Sequence, residues 1–351
     1  MRRDKMKVLD MDPKISSEPL DGMIKGCEGT RILFTALDFD LFDLLDESMA
    51  AEEISSKIGT DAPMTGKFLN TLVAMQLLVK RDGRYANTEL ATTFLMKSSP
   101  FYQSHILRLS GNTHDWSRLN SVLKGDVPDE DDRRECDRSF EDVFDPSFIL
   151  AMAEGSMRGG LHRTVNEVSK LPEFKKARKL LDLGGGHGLY AIAFAQMNPD
   201  LDAVVFDLPH VTEVTKEFIG RYDMNERVGV IGGDFLEGEI KNECEYDIIF
   251  ASDALYRKPD VLAGVLKKVY GALNSGGSVI FKHWTLNDER TAPLTSVLFD
   301  LMLSLRGDWH HIYTENEYIE LLQEAGFLNI RTLDISSQTS PSVLIIGDKV
   351  V

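Results

Sequence analysis

Residues 179–197 read KLLDLGGGHGLYAIAFAQM. An apolar run, Lys179–Leu183, ends in Gly184-Gly185-Gly186-His187-Gly188 and is followed by a segment of helix formers. This is a strand, a tight turn and a helix. Glycines allow the turn because they lack a Cβ and tolerate left-handed backbone. In open α/β sheets such a turn lies at the carboxyl end of a strand, where ligands bind. Downstream, short apolar runs recur at DAVVFDL (202–208), VGVIGGD (228–234), YDIIFASD (246–253) and SVIFKHW (278–284), with helical patterns between them. That alternation predicts a mostly parallel sheet covered by helices on both faces. NIRTLDI (329–335) and SVLIIGD (342–348) are too close together for a helical crossover and predict an antiparallel hairpin at one edge.

The ligand follows from what the turn lacks and what the next strands carry. A strict dinucleotide fingerprint, counted from Gly184, would need a third glycine where Leu189 stands. Counted from Gly186, the last position is Ala191, which fits only the looser form, so the turn alone leaves a dinucleotide open. The fuller pattern is D-x-G-G-G-x-G, beginning at Asp182, which is expected among the cofactor contacts. S-adenosylmethionine has no pyrophosphate; it has a ribose, an adenine and a zwitterionic amino-acid tail. Asp207, ending VVFDLP with Leu208 beside it, can accept from both ribose hydroxyls. Asp234, ending GGDF, can accept from the adenine amino group, with Phe235 packing on the ring. Backbone groups of Gly184 and Gly186 can meet the tail, and Ser252 closes the fourth strand of the series. A single strand-end Asp is ordinarily a cap or turn residue, but acidic ends on successive strands beside one glycine turn point to one nucleoside.

The first third of the chain is different. Ile32, Leu33, Leu37, Leu41, Phe42 and Leu45 recur at helical spacing. AAEEISSKIG (50–59) is a short helix stopped by Gly59, and APMTGKFLNTLVAMQLL (62–78) is another. LLVKRDGRYANT (77–88) is a hairpin turning at Asp82-Gly83. Together they predict a winged helix. Its would-be recognition helix, 62–76, carries one basic residue, Lys67, and residues 1–110 hold 14 Lys+Arg against 16 Asp+Glu. A DNA reader presents a basic face, so a protein–protein role is the better reading, with Arg2, Arg3, Lys5, Lys7, Lys80, Arg81 and Arg84 as solvated charge. The 351 residues carry a net charge of −17, which opposes non-specific attraction to nucleic acid or anionic membranes. No apolar run is long enough to span a bilayer, and a cytoplasmic location is expected. Cys27, Cys136 and Cys244 are scattered, implying neither a disulfide framework nor a metal site. The charge-dense stretch Gly125–Asp137 reads as a solvated loop.

With these residues in place, the chain resembles the S-adenosylmethionine-dependent O-methyltransferases of the plant caffeate/hydroxyneurosporene/acetylserotonin type. The resemblance spans nearly the whole sequence: ILFTALDFDLFDLL, LLVKRDGRYANTELATTFL, LLDLGGGHG, VVFDLP, GGDF and YTENEYIELLQEAGF. It implies a winged-helix dimerisation domain over 1–110, linking and substrate-lining helices over 111–170, and a seven-stranded Rossmann-like methyltransferase domain over 171–351. It also implies a homodimer, a small-molecule methyl acceptor, and cofactor contacts at Gly184, Asp207, Asp234 and Phe235. Phe140–Met157 corresponds to the substrate-lining helices, with Phe144, Phe148, Met152 and Met157 as wall candidates; Met and Phe at this spacing serve ordinary cores equally well.

The match fails at the family's catalytic Leu-His-Asp-Trp run. Anchored on Asp247 and on Gly276-Gly277, the chain has Tyr256 at the His position and Arg257 at the Asp position. A tyrosine, with an ordinary pKa of about 10, is a poor base unless neighbours such as Arg257 or Lys258 lower it. Three readings follow. Another residue is the base, among His114, His283, His310 and His311; the acceptor is a thiol or amine and Tyr256 orients it; or methyl transfer is lost and the protein senses the cofactor.

Overall fold

The computed structural model describes residues 13–111, 114–125, 144–240, 245–306, 310–337 and 340–350, with backbone only at 114 and 115. The solvated loop expected at 125–137, beyond Gly125, lies outside them, as do Arg2, Arg3, Lys5, Lys7, Cys136 and Cys244. The chain forms two compact units, divided between Ser104 and His105. The divide falls slightly before the expected one near 110 for a local reason. The His105 Nδ1 lies 2.6 Å from Glu154 Oε1 and the Ile106 amide donates to Glu154 Oε2 at 3.0 Å, tying this stretch to the second unit.

In the first unit, helices Glu18–Asp38, Ala51–Ile58 and Ala62–Ala74 precede a hairpin. A short strand β1 (Met49–Ala50) pairs with β3 (Arg84–Asn87), which pairs in turn with β2 (Leu78–Arg81). Asp82 and Gly83 take φ of 49° and 78°, the left-handed pair that a two-residue hairpin turn needs. The core holds Leu37, Leu41, Phe42, Leu45, Leu69, Leu72 and Tyr85. Asn87 Nδ2 locks the hairpin to it by donating to the Phe42 and Leu45 carbonyls. Lys80 and Arg84 are engaged locally, Lys80 with Tyr85 and Asn70, Arg84 with Glu53 and Ser48. This is the winged helix read from the sequence.

The second unit is built on β4 (Lys179–Leu183), β5 (Asp202–Asp207), β6 (Val228–Gly232), β7 (Tyr246–Ser252), β8 (Leu273–Trp284), β9 (Leu328–Asp334) and β10 (Ser342–Asp348). Their order is β6-β5-β4-β7-β8-β10-β9, parallel except for β10, which runs antiparallel to both neighbours. Helices cover both faces, so the central strands are buried on both sides and read as unbroken apolar runs. One face packs Leu180, Tyr190, Phe194, Phe250, Ile280 and Leu344; the other packs Leu181, Leu183, Ile249, Phe281, Tyr318 and Ile345. The register sets Leu183 beside Phe206, Asp207 beside Gly232 and Ser252 beside Lys282. The ends of β4, β5, β6, β7 and β8 therefore meet along one edge.

Candidate active site

Gly184, Gly186 and Gly188 all take positive φ, at 68°, 52° and 71°. Two of them are also needed for space. A Cβ on Gly184 would lie 2.7 Å from the Ala254 Cβ, with the Phe235 ring at 3.5 Å. The ends of β4, β6 and β7 thus close onto one point. A Cβ on Gly188 would lie 2.9 Å from Thr215. Gly186 is different: nothing occupies the space within 4 Å of its missing Cβ, so this side of the turn is open to a ligand.

Asp207 clamps the turn. Its Oδ2 accepts the Gly186 N–H at 2.8 Å and its Oδ1 the Leu208 N–H at 2.7 Å. Burial pushes its carboxyl up, and the two backbone donors oppose that rise. A carboxylate has about four acceptor sites, so two remain for a ligand. Thr215 Oγ1 holds the other side of the turn by donating to the Gly186 carbonyl at 2.5 Å. Asp234 begins the next loop, with Oδ1 accepting the Leu236 N–H at 2.8 Å and Phe235 partly buried beside Gly184. Arg257 is close enough for the Asp234 charge to support its guanidinium against burial.

Asp182, expected among the cofactor contacts, sits beneath the turn. It is fully buried, and a Cβ on Gly185 would lie 2.6 Å from its Cγ. Neither of its oxygens has a partner at hydrogen-bonding geometry. Burial raises its carboxyl to about 7; the Ala191 amide opposes the rise and Asp207 adds to it. Asp182 supports the turn from inside. His187 was quoted only as part of the motif, yet it locks the turn to the helix Pro146–Ser156. Its Nδ1 accepts the Leu189 N–H at 3.0 Å, which leaves Nε2 as the donor to Ser156 Oγ at 3.2 Å. Ser156 Oγ in turn donates to the Met152 carbonyl. Burial pulls this imidazole down to about 4, so it stays neutral. Phe144, Phe148 and Met157 pack against the core, the two rings edge-to-face at 5.3 Å; Met152 is half-buried on the same helix.

Tyr256 is held on two sides. It is buried, and its hydroxyl is used twice: it donates to Asp253 Oδ1 and accepts the Trp284 N–H, each at 2.7 Å. Burial and the Asp253 charge push its phenol well above the ordinary range. Arg257 and Lys258 do not lower it, and both a lone pair and the proton of the hydroxyl are engaged within the protein. His283 is fully buried, stacked on Tyr318 at 5.1 Å, and pulled down to about 4 by burial. His311 is held in an ion cluster, with Nε2 3.2 Å from Arg290 Nη2 and 3.7 Å from Glu317 Oε1. His310 lies within the field of Arg257 and Arg306, which together with burial bring it down to about 3. The side chain of His114 lies outside the described residues.

The sequence reading missed Asp253 and Lys282. Asp253 follows β7 with φ of 54°, an uncommon backbone for a residue other than glycine. Its carboxylate is ion-paired with the buried Lys282. The only cue was a lysine inside the apolar run Val279–Trp284.

Known proteins resemble this chain over most of its length. A model of the O-methyltransferase domain matches residues 144–328, and one of the O-methyltransferase dimerisation domain matches residues 23–97. An uncharacterized protein of Methanocaldococcus jannaschii is 31% identical over 87% of this chain and 82% of its own length. The 3-hydroxy-5-methyl-1-naphthoate 3-O-methyltransferase of Streptomyces sahachiroi is 26% identical over 93% of both chains. The structure of human N-acetylserotonin methyltransferase in complex with SAM superposes with a TM-score of 0.78 over 97% of this chain and 100% of that one, at 23% identity.

Proposed function

The chain belongs to the O-methyltransferase family, and from that premise we propose how it binds S-adenosylmethionine and methylates a hydroxyl oxygen of a small molecule. The carrying observation is the convergence of Gly184, Phe235 and Ala254, with Asp207 clamped to Gly186 alongside. The residues present fit the cofactor. Asp207, with two acceptor sites left, takes the ribose hydroxyls, and Leu208 lies beside it. Asp234 takes the adenine amino group and Phe235 flanks the ring. The backbone of Gly184 and the open side of Gly186, with Ser252 at the end of β7, face the amino-acid tail. When bound, the sulfonium supplies an electrophilic methyl group, and the enzyme's main contribution is alignment.

The hydroxyl proton needs an acceptor. Among the described residues Tyr256 is spent, His283 is sealed and His311 Nε2 faces the Arg290 guanidinium, which leaves His310 as the favoured candidate. It is neutral at pH 7 and lies in the field of Arg257, itself close to Asp234. Phe144, Phe148, Met152 and Met157 supply the apolar wall for the acceptor. A second reading rests on Tyr256 alone: with the usual base position locked in structure, an amine or thiol acceptor needs none there. The protein forms a homodimer through its first unit, where Leu20, Met23 and Ile24 stand exposed along one helix. Among the described residues no helix is long and apolar enough to cross a membrane. We place the protein in the cytoplasm, with neither nucleic acid nor membrane as a partner, because its net charge is −17.

Calorimetry with S-adenosylhomocysteine tests the cofactor reading, and transfer of labelled methyl to a panel of phenols, amines and thiols tests the acceptor class. Asp207→Ala should weaken S-adenosylhomocysteine by at least about tenfold, the worth of one charged hydrogen bond. Unchanged affinity would remove the ribose assignment, and a wild-type protein that ignores the ligand would remove the function.

A further inference from the structure

Lys282 is 6% exposed and lies in a strand whose neighbours, Ile280 and Phe281, are core residues. Burial alone would pull its ammonium down, but Asp253, together with Tyr190, overrides that and keeps it above the ordinary lysine value. Asp253 is depressed reciprocally: burial opposes its ionisation, and Lys282, His283 and the Tyr256 hydroxyl together outweigh burial. Both groups are therefore charged near neutral pH. Packing does not require such a pair, since replacing a buried ion pair by apolar residues is commonly neutral or stabilising.

The two partners are not equally satisfied. An ammonium has three donors, and among the described residues Nζ hydrogen-bonds to Asp253 alone. Asp253 holds a firm bond from Tyr256 at 2.7 Å, with long ones from Trp284 N–H at 3.3 Å and Ser252 Oγ at 3.4 Å. About a third of its side chain, 32%, is exposed. The pair thus keeps spare donors on the cation and a reachable oxygen on the anion.

Its place is equally specific. Lys282 pairs in register with Ser252, and its charge is felt at His187 within the glycine turn. Asp253 immediately precedes Ala254, whose Cβ fills the space Gly184 leaves. The nucleoside has been assigned to the ends of β5 and β6. What remains of the cofactor is an amino-acid tail carrying one ammonium and one carboxylate, and it falls to the β4–β7–β8 side of the turn.

We propose that the Asp253–Lys282 pair recognises this zwitterionic tail, Lys282 taking the carboxylate and Asp253 the ammonium. Tyr256 and the Trp284 amide then act as positioning groups that fix Asp253. The inference rests on the cofactor reading above, and two ligands separate them. S-adenosylhomocysteine has the tail; 5′-methylthioadenosine keeps the nucleoside and thioether and lacks it.

By calorimetry, the wild-type protein should bind S-adenosylhomocysteine about 10- to 100-fold more tightly than 5′-methylthioadenosine. Lys282→Met should erase most of that ratio while leaving 5′-methylthioadenosine within about threefold. That variant strands the Asp253 charge and can unfold, so Lys282→Met/Asp253→Asn, which removes both charges, is measured beside it and should show the same collapse. A double variant that keeps the wild-type ratio overturns the proposal, as does one that loses both ligands equally while still folded. If the wild type binds neither ligand, the cofactor reading falls and takes this inference with it. If the wild type binds both and the ratio survives in the variant, only the inference falls.

Discussion

Substituting Gly184 by alanine tests the geometry on which the site depends. Two costs can be worked out. The residue has φ of 68°, where a Cβ meets its own backbone, at roughly 1–2 kcal/mol. The new Cβ would also stand 2.7 Å from the Ala254 Cβ; overpacking of this kind costs about 1–3 kcal/mol. The sum, about 2–5 kcal/mol, lowers the melting temperature of a unit this size by about 4–20 °C. The two costs can be separated. Ala254→Gly removes the opposing carbon, so in the double variant the packing cost disappears and only the backbone cost remains. Urea and thermal unfolding of wild type, both single variants and the double variant give the cycle, and the coupling should be about 1–3 kcal/mol. A Gly184→Ala protein melting within about 1 °C of wild type, or a double variant no better than the single, would refute the close approach of β4 and β7.

Tyr256→Phe removes a hydroxyl that serves Asp253 and the Trp284 amide. It should cost about 1–3 kcal/mol of stability and lower turnover far less than the roughly 10²–10⁴-fold expected of a base; full stability with turnover lost to that degree would restore Tyr256 as catalytic. Asp182 keeps its proton in the folded chain up to about pH 7, whereas an unfolded carboxyl loses it near about 4, so ionised Asp182 drains stability as the pH climbs between those values. Asp182→Asn should therefore be more stable than wild type above pH 7, by at most about 4 kcal/mol, with the gain gone at about pH 4; urea midpoints at pH 4.5 and 8 that differ from wild type equally would contradict a buried neutral carboxyl.

How much of this could be read beforehand depended on the range of the interactions involved. Strands β4, β5, β7, β8 and β10 were legible because a strand buried on both faces is an apolar run whatever surrounds it. The turn was legible because left-handed backbone and missing space both select glycine at 184 and 188. The aspartates at 207 and 234 were legible as strand ends. Asp182 lies buried beneath the turn for a reason the sequence already held. Side chains alternate along a strand, and Leu180 and Leu181 pack on opposite faces of the sheet. Asp182 therefore shares the core-facing side of Leu180 and cannot look outward with the turn.

Tyr256 shows a harder limit. Spacing from Asp247 and Gly276-Gly277 fixes where a residue lies along the chain and says nothing about where its hydroxyl points. That direction is set by Asp253, which leaves β7 through a left-handed φ and turns its carboxylate toward β8. Apart from its neighbour Ser252, the groups that meet it come from positions 256, 282 and 284, and they assemble only once the β7–β8 register sets Ser252 against Lys282. A one-residue slip of that register would turn Lys282 to the opposite face and bring His283 in its place. The chemistry of this end of the site is a property of strand pairing, so a tyrosine in a histidine's position does not by itself mean that the tyrosine inherits the histidine's task.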